Sequence, residues 1–283
     1  MSLEQKYQKL QNIIEKLGSV VIAFSGGVDS TFLSKVCRDV LGDNAMAVTA
    51  RSSTYPAREF KEAKQLAKEI GIEQVVIISE ETEVDGFANN PPDRCYYCKH
   101  ELFSKVEEVA KVRNIKYVLD GSNYDDLQDF RPGMKAAEEL EVVSPLKEAE
   151  LTKDDIRELS KRLGLPTWNK PAFACLSSRF PYGEEINEEK LSMVEQAEDY
   201  LIKLGFKQFR VRHHEQIARI EVAPEERKKF FELEVMDQIS AKLKEVGFIY
   251  VTLDLAGYRP GSMNEVLDES EKKSKINRKR ERV

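Results

Sequence analysis

Ser25-Gly26-Gly27-Val28-Asp29-Ser30 joins the apolar run VVIAF to a segment with helical spacing. Paired glycines let the backbone approach a phosphate closely, and a helix starting near Ser30 offers unbonded N–H groups and the positive end of its dipole. A Walker-type loop would add a lysine reaching the β- and γ-phosphates for phosphoryl transfer. Here position 31 is Thr31, and the first lysine of the helix is Lys35. A loop that grips the β/γ unit whole suits chemistry at the α-phosphate, with pyrophosphate leaving. A tight Gly-Gly turn with no ligand is the plain alternative.

Four cysteines supply the other chemically active groups. Cys95 and Cys98 form a CxxC in RCYYCK, a pattern compatible with zinc, redox chemistry or coincidence. Cys37 follows Leu33 and Val36 and precedes Val40 and Leu41, which puts it on the apolar face of its helix as a small buried thiol.

The elements that must position these groups alternate from Val20 to Asp120: VVIAF then TFLSKVCRDVLG, AMAVTA then PAREFKEAKQLAKEIG, VVIIS then a helix after CYYCK, and YVLD before GSN. That order predicts an α/β fold, a parallel sheet with helices on both faces. Ligands bind such sheets at the carboxyl ends of the strands, where SGGVDS, ARSS and DGSNYDD all fall. LTKDDIRELSKRLGLP reads as a helix with Thr152 as N-cap, Asp155 three residues on, Gly164 as its stop and Pro166 beyond. Past KPAFACLSSRFPYG the pattern becomes a helix from Glu188 to Leu204, the strands FRVRHH and ARIEVA, a helix opened by Pro224 and a strand YVTLDL. The expected organisation is an ATP-binding domain over 1–180, a small α+β domain over 181–268 and a basic, disordered tail over 269–283.

Composition narrows the function classes. The chain has 283 residues, 41% of them hydrophobic, enough for a real core, and 44 Lys plus Arg against 50 Asp plus Glu give a formal charge of -6. Nothing global suggests a nucleic-acid binder, and the basic tail EKKSKINRKRERV reads as a solvated segment. No run approaches the ~20 apolar residues of a membrane span, and the amino terminus lacks a signal peptide, so a cytoplasmic protein without structural disulfides is expected.

SGGVDS resembles the signature of the PP-loop superfamily, whose members split ATP into AMP and pyrophosphate to activate a carboxylate, carbonyl or amide-like oxygen. The resemblance implies that Ser25, Gly26, Gly27, Asp29 and Ser30 contact pyrophosphate and Mg2+, that the Ala50 backbone meets adenine, and that Gly121 lies near the α-phosphate. Longer stretches choose the acceptor. GSNYDDLQDFRPGMKAAEE, SPLKEAELTKDDIRELSKRLGLPTWNKPAFACLSSRFPYG, and FRVRHH followed by ARIEV resemble the LarE family, from about residue 15 to 268. LTKDDIRELSKRLGLP is the least specific piece, since GMP synthetase-like members carry something similar. LarE enzymes are ATP-dependent sulfur transferases that build a nickel-pincer nucleotide cofactor. They adenylate a carboxylate of pyridinium-3,5-biscarboxylic acid mononucleotide and exchange AMP for sulfur. Homo-oligomers, and sulfide or another sulfur donor as partner, are implied too.

In single-cysteine members the residue matching Cys175 attacks the acyl-adenylate and gives up its own sulfur, leaving dehydroalanine. This chain adds Cys95 and Cys98, matching a three-cysteine branch understood to hold a 4Fe-4S cluster with one iron open to extra sulfide. Zinc, with Cys95, Cys98, Cys175 and His100, and simple thiols are the rivals.

Arg210 and Arg212 alternate with Phe209 and Val211, so both guanidiniums share one strand face and suit a phosphate; surface arginines on a half-buried sheet are the bland reading. Arg131 and Arg179 stand inside the family motifs. Asp126, with Asp125, is a Mg2+ candidate or a turn former. Tyr96 and Tyr97 suit a pyridinium ring or plain packing, and His213 and His214 read as solvated or structural. Two rival functions stay open: a PP-loop tRNA thiolase, which needs a basic RNA-binding face, and a nucleotide-binding regulator without catalysis.

Overall fold

Helix α1 (Leu3–Leu17) opens on a capping box between Ser2 and Gln5 and leads into β1 (Val20–Ala23). There follow α2 (Val28–Leu41), β2 (Ala45–Arg51), α3 (Ala57–Ile70), β3 (Glu73–Ile78), α4 (Arg94–Val112), β4 (Tyr117–Leu119), α5 (Gly133–Glu139), α6 (Pro145–Glu148) and α7 (Lys153–Arg162). The computed structural model describes residues 1–128, 132–171, 174–259, 261, 262 and 265. Its contacts divide the chain into two units, Met1–Asp85 with Asp93–Phe173, and Gly86–Pro92 with Ala174–Val283. Arg131 and the tail over 269–283 lie outside the described residues.

In the first unit the strands pair in the order β3-β2-β1-β4, all parallel. Successive side chains of a strand point to opposite faces, and β1 shows the consequence. Val20 and Ile22 pack with Leu10, Phe32, Leu66 and Ile156 from α1, α2, α3 and α7. Val21 joins Phe103, Val106 and Ala137 from α4 and α5 on the other face. A central strand covered on both sides reads as an uninterrupted apolar run, which is why VVIAF is legible as a parallel strand. The α/β expectation therefore holds. At α7 the predicted capping box is present, with Thr152 Oγ1 accepting from Asp155 N and the Asp155 carboxylate accepting from Thr152 N.

The CxxC pair departs from expectation. α4 begins at Arg94, so Cys95 and Cys98 lie in its first turns and do not precede it. Pro91 and Pro92 explain the start: proline cannot continue a helix backwards, and the chain turns helical directly after them.

The second unit holds α8 (Glu188–Lys203), β5 (Phe209–His214), β6 (Ile217–Val222), α9 (Leu233–Glu245) and β7 (Tyr250–Leu253). β5 and β6 are antiparallel, and β7 joins β6 in parallel. Pro224 opens a 3-10 turn, Pro224–Phe231, in place of the expected α-helix, which begins only at Leu233. The Glu226 carboxylate is drawn out of that segment to accept the Lys207 and Gln208 N–H groups, and such side-chain bonds compete with regular helix. Gly86–Pro92 belongs to this unit through Gly183 N to Asn90 O at 3.0 Å and Ile186 N to Ala88 O at 2.8 Å. No described helix is long and apolar enough to cross a membrane.

Candidate active site

β1 runs into Phe24, whose N–H still bonds Val48 O, and the chain then breaks from the sheet at Ser25. Gly26 takes φ +63°, a left-handed conformation costly for any residue with a Cβ. A Cβ there would also sit 3.0 Å from that of Ala63 on α3, so two separate constraints demand glycine. Gly27 caps α2, and Thr31 N is the first to bond back, to Gly27 O at 2.9 Å. None of the N–H groups of Gly26, Gly27, Val28, Asp29 and Ser30 donates to another described residue. Five successive donors without acceptors, at the positive end of a helix, form a receptor for an anion. The Ser30 hydroxyl is engaged within the loop, 3.2 Å from Ser25 Oγ and 3.3 Å from Gly27 O.

Other strand ends border this array. Gly121, just past β4, approaches so closely that a Cβ on it would lie 3.1 Å from Ser30 N. Ala50 is the penultimate residue of β2, paired with Ile77. The loop after β4 is braced internally. Asp120 accepts from the Ser122 and Ser144 hydroxyls, Asp126 accepts Asn123 N at 3.0 Å, and Asp125 accepts Lys153 N at 2.8 Å. Both carboxylates thus brace the loop, and through it they stand on the same segment as Gly121 and Asn123.

Sequence reasoning missed the lysines here. Lys153 Nζ forms a close ion pair with Asp29 Oδ2, and Asn123 Nδ2 stands 3.5 Å from the other carboxylate oxygen. Lys170 Nζ reaches Gly26 O at 3.3 Å while pairing with Glu59 at 2.8 Å and Glu62 at 2.9 Å. The loop that carries no lysine of its own is thus met by two from segments more than 120 residues downstream. Their spacing from the loop leaves no local signal.

Cys95 is exposed and Cys98 partly buried; three residues apart on α4, they share a helix face. Tyr96 donates to Glu139 on α5 at 2.7 Å, and Lys135 lies 5.0 Å over its ring, so its observed role is packing between α4 and α5. Cys37 is fully buried, and burial pushes its thiol far above the usual range, as an inert core residue requires. The soft thiolate donors suit an iron-sulfur cluster or zinc by their chemistry. Cys175 belongs to the other unit, and among the described residues no three His, Cys, Asp or Glu side chains are gathered as a metal site.

In the second unit Cys175 precedes a 3-10 turn, Leu176–Arg179. Its carbonyl accepts from Ser178 N at 3.0 Å, Ser178 Oγ at 2.8 Å and Arg179 Nη1 at 3.1 Å. Arg179 is 0% exposed and forks onto Glu198, itself 0% exposed, through Nε at 2.8 Å and Nη2 at 2.9 Å. Burial works against the Arg179 charge, but Glu198 outweighs it and holds the guanidinium pKa above its ordinary value. Arg212 bonds Ser178 O at 2.9 Å and Glu221 at 2.8 Å, while its Nε is buried without a partner. Burial and then the neighbouring Arg179 bring Arg210 down to about 10. Both strand arginines are 5% exposed, so the surface reading does not hold for them. Arg179, Arg210 and Arg212 are buried near Glu198 and Glu221, and the guanidinium fork is the donor geometry that binds a phosphate through two hydrogen bonds. His213 is structural: its Nδ1 meets Glu184 at 2.5 Å and its ring stacks on Phe180 at 5.0 Å. Half-buried His214 accepts from Arg219 Nε at 3.2 Å.

Removing one partner from a fully buried pair strands the other charge. Glu198→Gln is therefore expected to cost about 3–5 kcal/mol in urea unfolding. A loss below about 1 kcal/mol would mean the pair behaves like one at the surface.

A family model described as NAD synthase matches residues 2–114. The chain is 45% identical to an uncharacterized protein of Synechocystis sp., over 94% of its own length and 99% of that protein's. It is 42% identical to the pyridinium-3,5-bisthiocarboxylic acid mononucleotide synthase of Lactiplantibacillus plantarum, covering 95% of this chain and 98% of that one. An uncharacterized protein of Methanocaldococcus jannaschii is 31% identical over 90% and 98%.

Proposed function

Because the chain belongs to the LarE family of PP-loop, ATP-using sulfur transferases, we propose that it adenylates a carboxylate of pyridinium-3,5-biscarboxylic acid mononucleotide and replaces AMP by sulfur, giving the thiocarboxylate of a nickel-pincer cofactor. The observation that carries this reading is the run of five unbonded N–H groups from Gly26 to Ser30 beside the Asp29 carboxylate. Such an array stabilises charge developing on departing pyrophosphate, and fixed donors pay no reorganisation cost when that charge appears.

Within the reading each residue has a task. The loop N–H groups hold the β- and γ-phosphates, Asp29 and Asp126 hold Mg2+, and the Ala50 backbone meets adenine. Gly121 keeps the space over Ser30 open for the α-phosphate. Arg210 and Arg212 bind the phosphate of the mononucleotide, with Arg179 fixing the Cys175 backbone beside them. The carboxylate attacks the α-phosphorus and pyrophosphate leaves; a sulfur nucleophile then displaces AMP from the acyl carbon. Cys95, Cys98 and Cys175 would ligate a 4Fe-4S cluster, which supplies a sulfide other than the cysteine's own. Sulfide or a donor protein would be the source of that sulfur, and a homo-oligomer the active form.

The test is ATP–pyrophosphate exchange by anaerobically purified protein, with and without the biscarboxylic acid mononucleotide, alongside iron and acid-labile sulfide content. Exchange dependent on the mononucleotide is the expected result. ATP binding without exchange would instead favour the regulator, and exchange dependent on tRNA the thiolase.

A further inference from the structure

Two loop carbonyls are each held by a donor from outside the loop. Tyr55 Oη donates to Ser25 O at 2.7 Å, and Lys170 Nζ donates to Gly26 O at 3.3 Å. Both donors are themselves fixed. Tyr55 precedes Pro56, the N-cap of α3, and Lys170 is gripped by Glu59 and Glu62 from the same helix. On the other side Arg157 of α7 bonds Trp168 O at 2.7 Å and Lys170 O at 2.8 Å, anchoring the lysine's backbone.

The described residues contain no cis peptide, and in a trans peptide the carbonyl and the next N–H point in opposite directions. A Ser25 carbonyl turned to Tyr55 therefore aims the Gly26 N–H away from it. A Gly26 carbonyl turned to Lys170 does the same for the Gly27 N–H. Those are two of the five donors left unbonded. Successive glycines offer little intrinsic resistance to a peptide flip, and a flip at either plane would replace a donor by a carbonyl oxygen facing the phosphate. Lys170 meets two carboxylates, so its net surroundings are anionic and its service to the loop is as a hydrogen-bond donor. Burial, followed by Glu59 and Glu62, raises the Tyr55 phenol well above the usual tyrosine range, so it keeps its proton at working pH.

We infer that Tyr55 and Lys170 are positioning residues that hold the Ser25 and Gly26 carbonyls outward and thereby preset the Gly26 and Gly27 amides for the pyrophosphate portion of ATP. The inference rests on the adenylation reading, and its test separates the two. Isothermal titration of the full chain uses Mg2+ with inorganic pyrophosphate, and separately AMP and ATP. Tyr55→Phe and Lys170→Met are each expected to weaken pyrophosphate about tenfold, the equivalent of one hydrogen bond of about 1.4 kcal/mol, with AMP affinity within twofold of wild type. Lys170→Arg, which keeps a donor, should restore most of the loss. The KM for ATP in exchange should rise with little change in kcat, since the lost interaction is made before and during reaction alike. Equal weakening of AMP and pyrophosphate would reduce these residues to general supports and overturn the inference, as would unchanged pyrophosphate affinity in both variants. A wild-type chain that binds neither ATP nor pyrophosphate would remove the adenylation reading itself and the inference with it.

Discussion

Asp29→Asn is expected to slow ATP–pyrophosphate exchange roughly 10²- to 10³-fold, the effect of losing a preorganised charge at a reacting centre. Stability should barely move. The Asp29–Lys153 pair is a third or less exposed on each side, and partly exposed pairs contribute about 0–1 kcal/mol. Asparagine also keeps an oxygen for Asn123 Nδ2. What disappears is the negative charge at the mouth of the N–H array, where a hard cation bridging phosphates needs an oxygen anion. The competing account is that Asp29 serves only to hold Lys153 against the loop. Lys153→Met separates the two, because it removes the strut and leaves the carboxylate. Exchange measured against Mg2+ concentration should show a higher Mg2+ requirement for Asp29→Asn and not for Lys153→Met. Equal losses with an unchanged Mg2+ profile would make the pair a strut and move the metal role elsewhere.

The contrast between Asp29 and its partner shows what a linear chain reveals. Gly26, Gly27 and Asp29 are legible because strand, turn and helix follow one another within a dozen residues, and the need for each type is local. The Thr152–Asp155 box is legible for the same reason. Lys153, in the very same box, acts on Asp29 across 124 residues, and no periodicity encodes a partner at that distance. Tyr55 and Lys170 were missed likewise, since their bonds go to backbone carbonyls and any donor of the right length would look alike in sequence. Arg179 was singled out, but its buried partner Glu198 was not: a glutamate on a helix reads as solvated until the fold turns it inward. Gly86–Pro92 joins the second unit through the backbone bonds of Gly183 and Ile186 and through Asn90 Nδ2, which donates to Phe180 O and Pro181 O, and a loop asparagine gives no sign in sequence of carbonyls 90 residues away. The start of α4 at Arg94 is of another kind, because Pro91 and Pro92 mark it locally and the CxxC pair falls inside the helix they precede.

Cys175→Ser is expected to abolish thiocarboxylate formation while exchange of ATP with pyrophosphate continues. The substitution is structurally mild. Among the described residues the hydrogen bonds at residue 175 reach its carbonyl, from Ser178 and Arg179, and a hydroxyl in place of the partly buried thiol leaves those bonds intact. Adenylation draws on the loop between Ser25 and Ser30 and needs no sulfur. The informative measurement is the mass of the wild-type chain recovered after turnover. If the cysteine gives up its own sulfur, its thiolate displaces AMP to form a thioester, the Cα proton is removed, the Cβ–S bond breaks and the sulfur departs with the acyl group. The residue left is dehydroalanine, the chain has lost the elements of hydrogen sulfide, and product cannot exceed enzyme. With Cys95 and Cys98 present the expected outcome is the opposite: an unchanged chain mass, and product in excess of protein when sulfide is supplied. Cys95→Ser and Cys98→Ser should then lose iron and its visible absorption together with product. A mass loss at Cys175 in the wild type would assign the sulfur to the protein itself, leave the adenylation half standing, and require another purpose for the thiol pair at the head of α4.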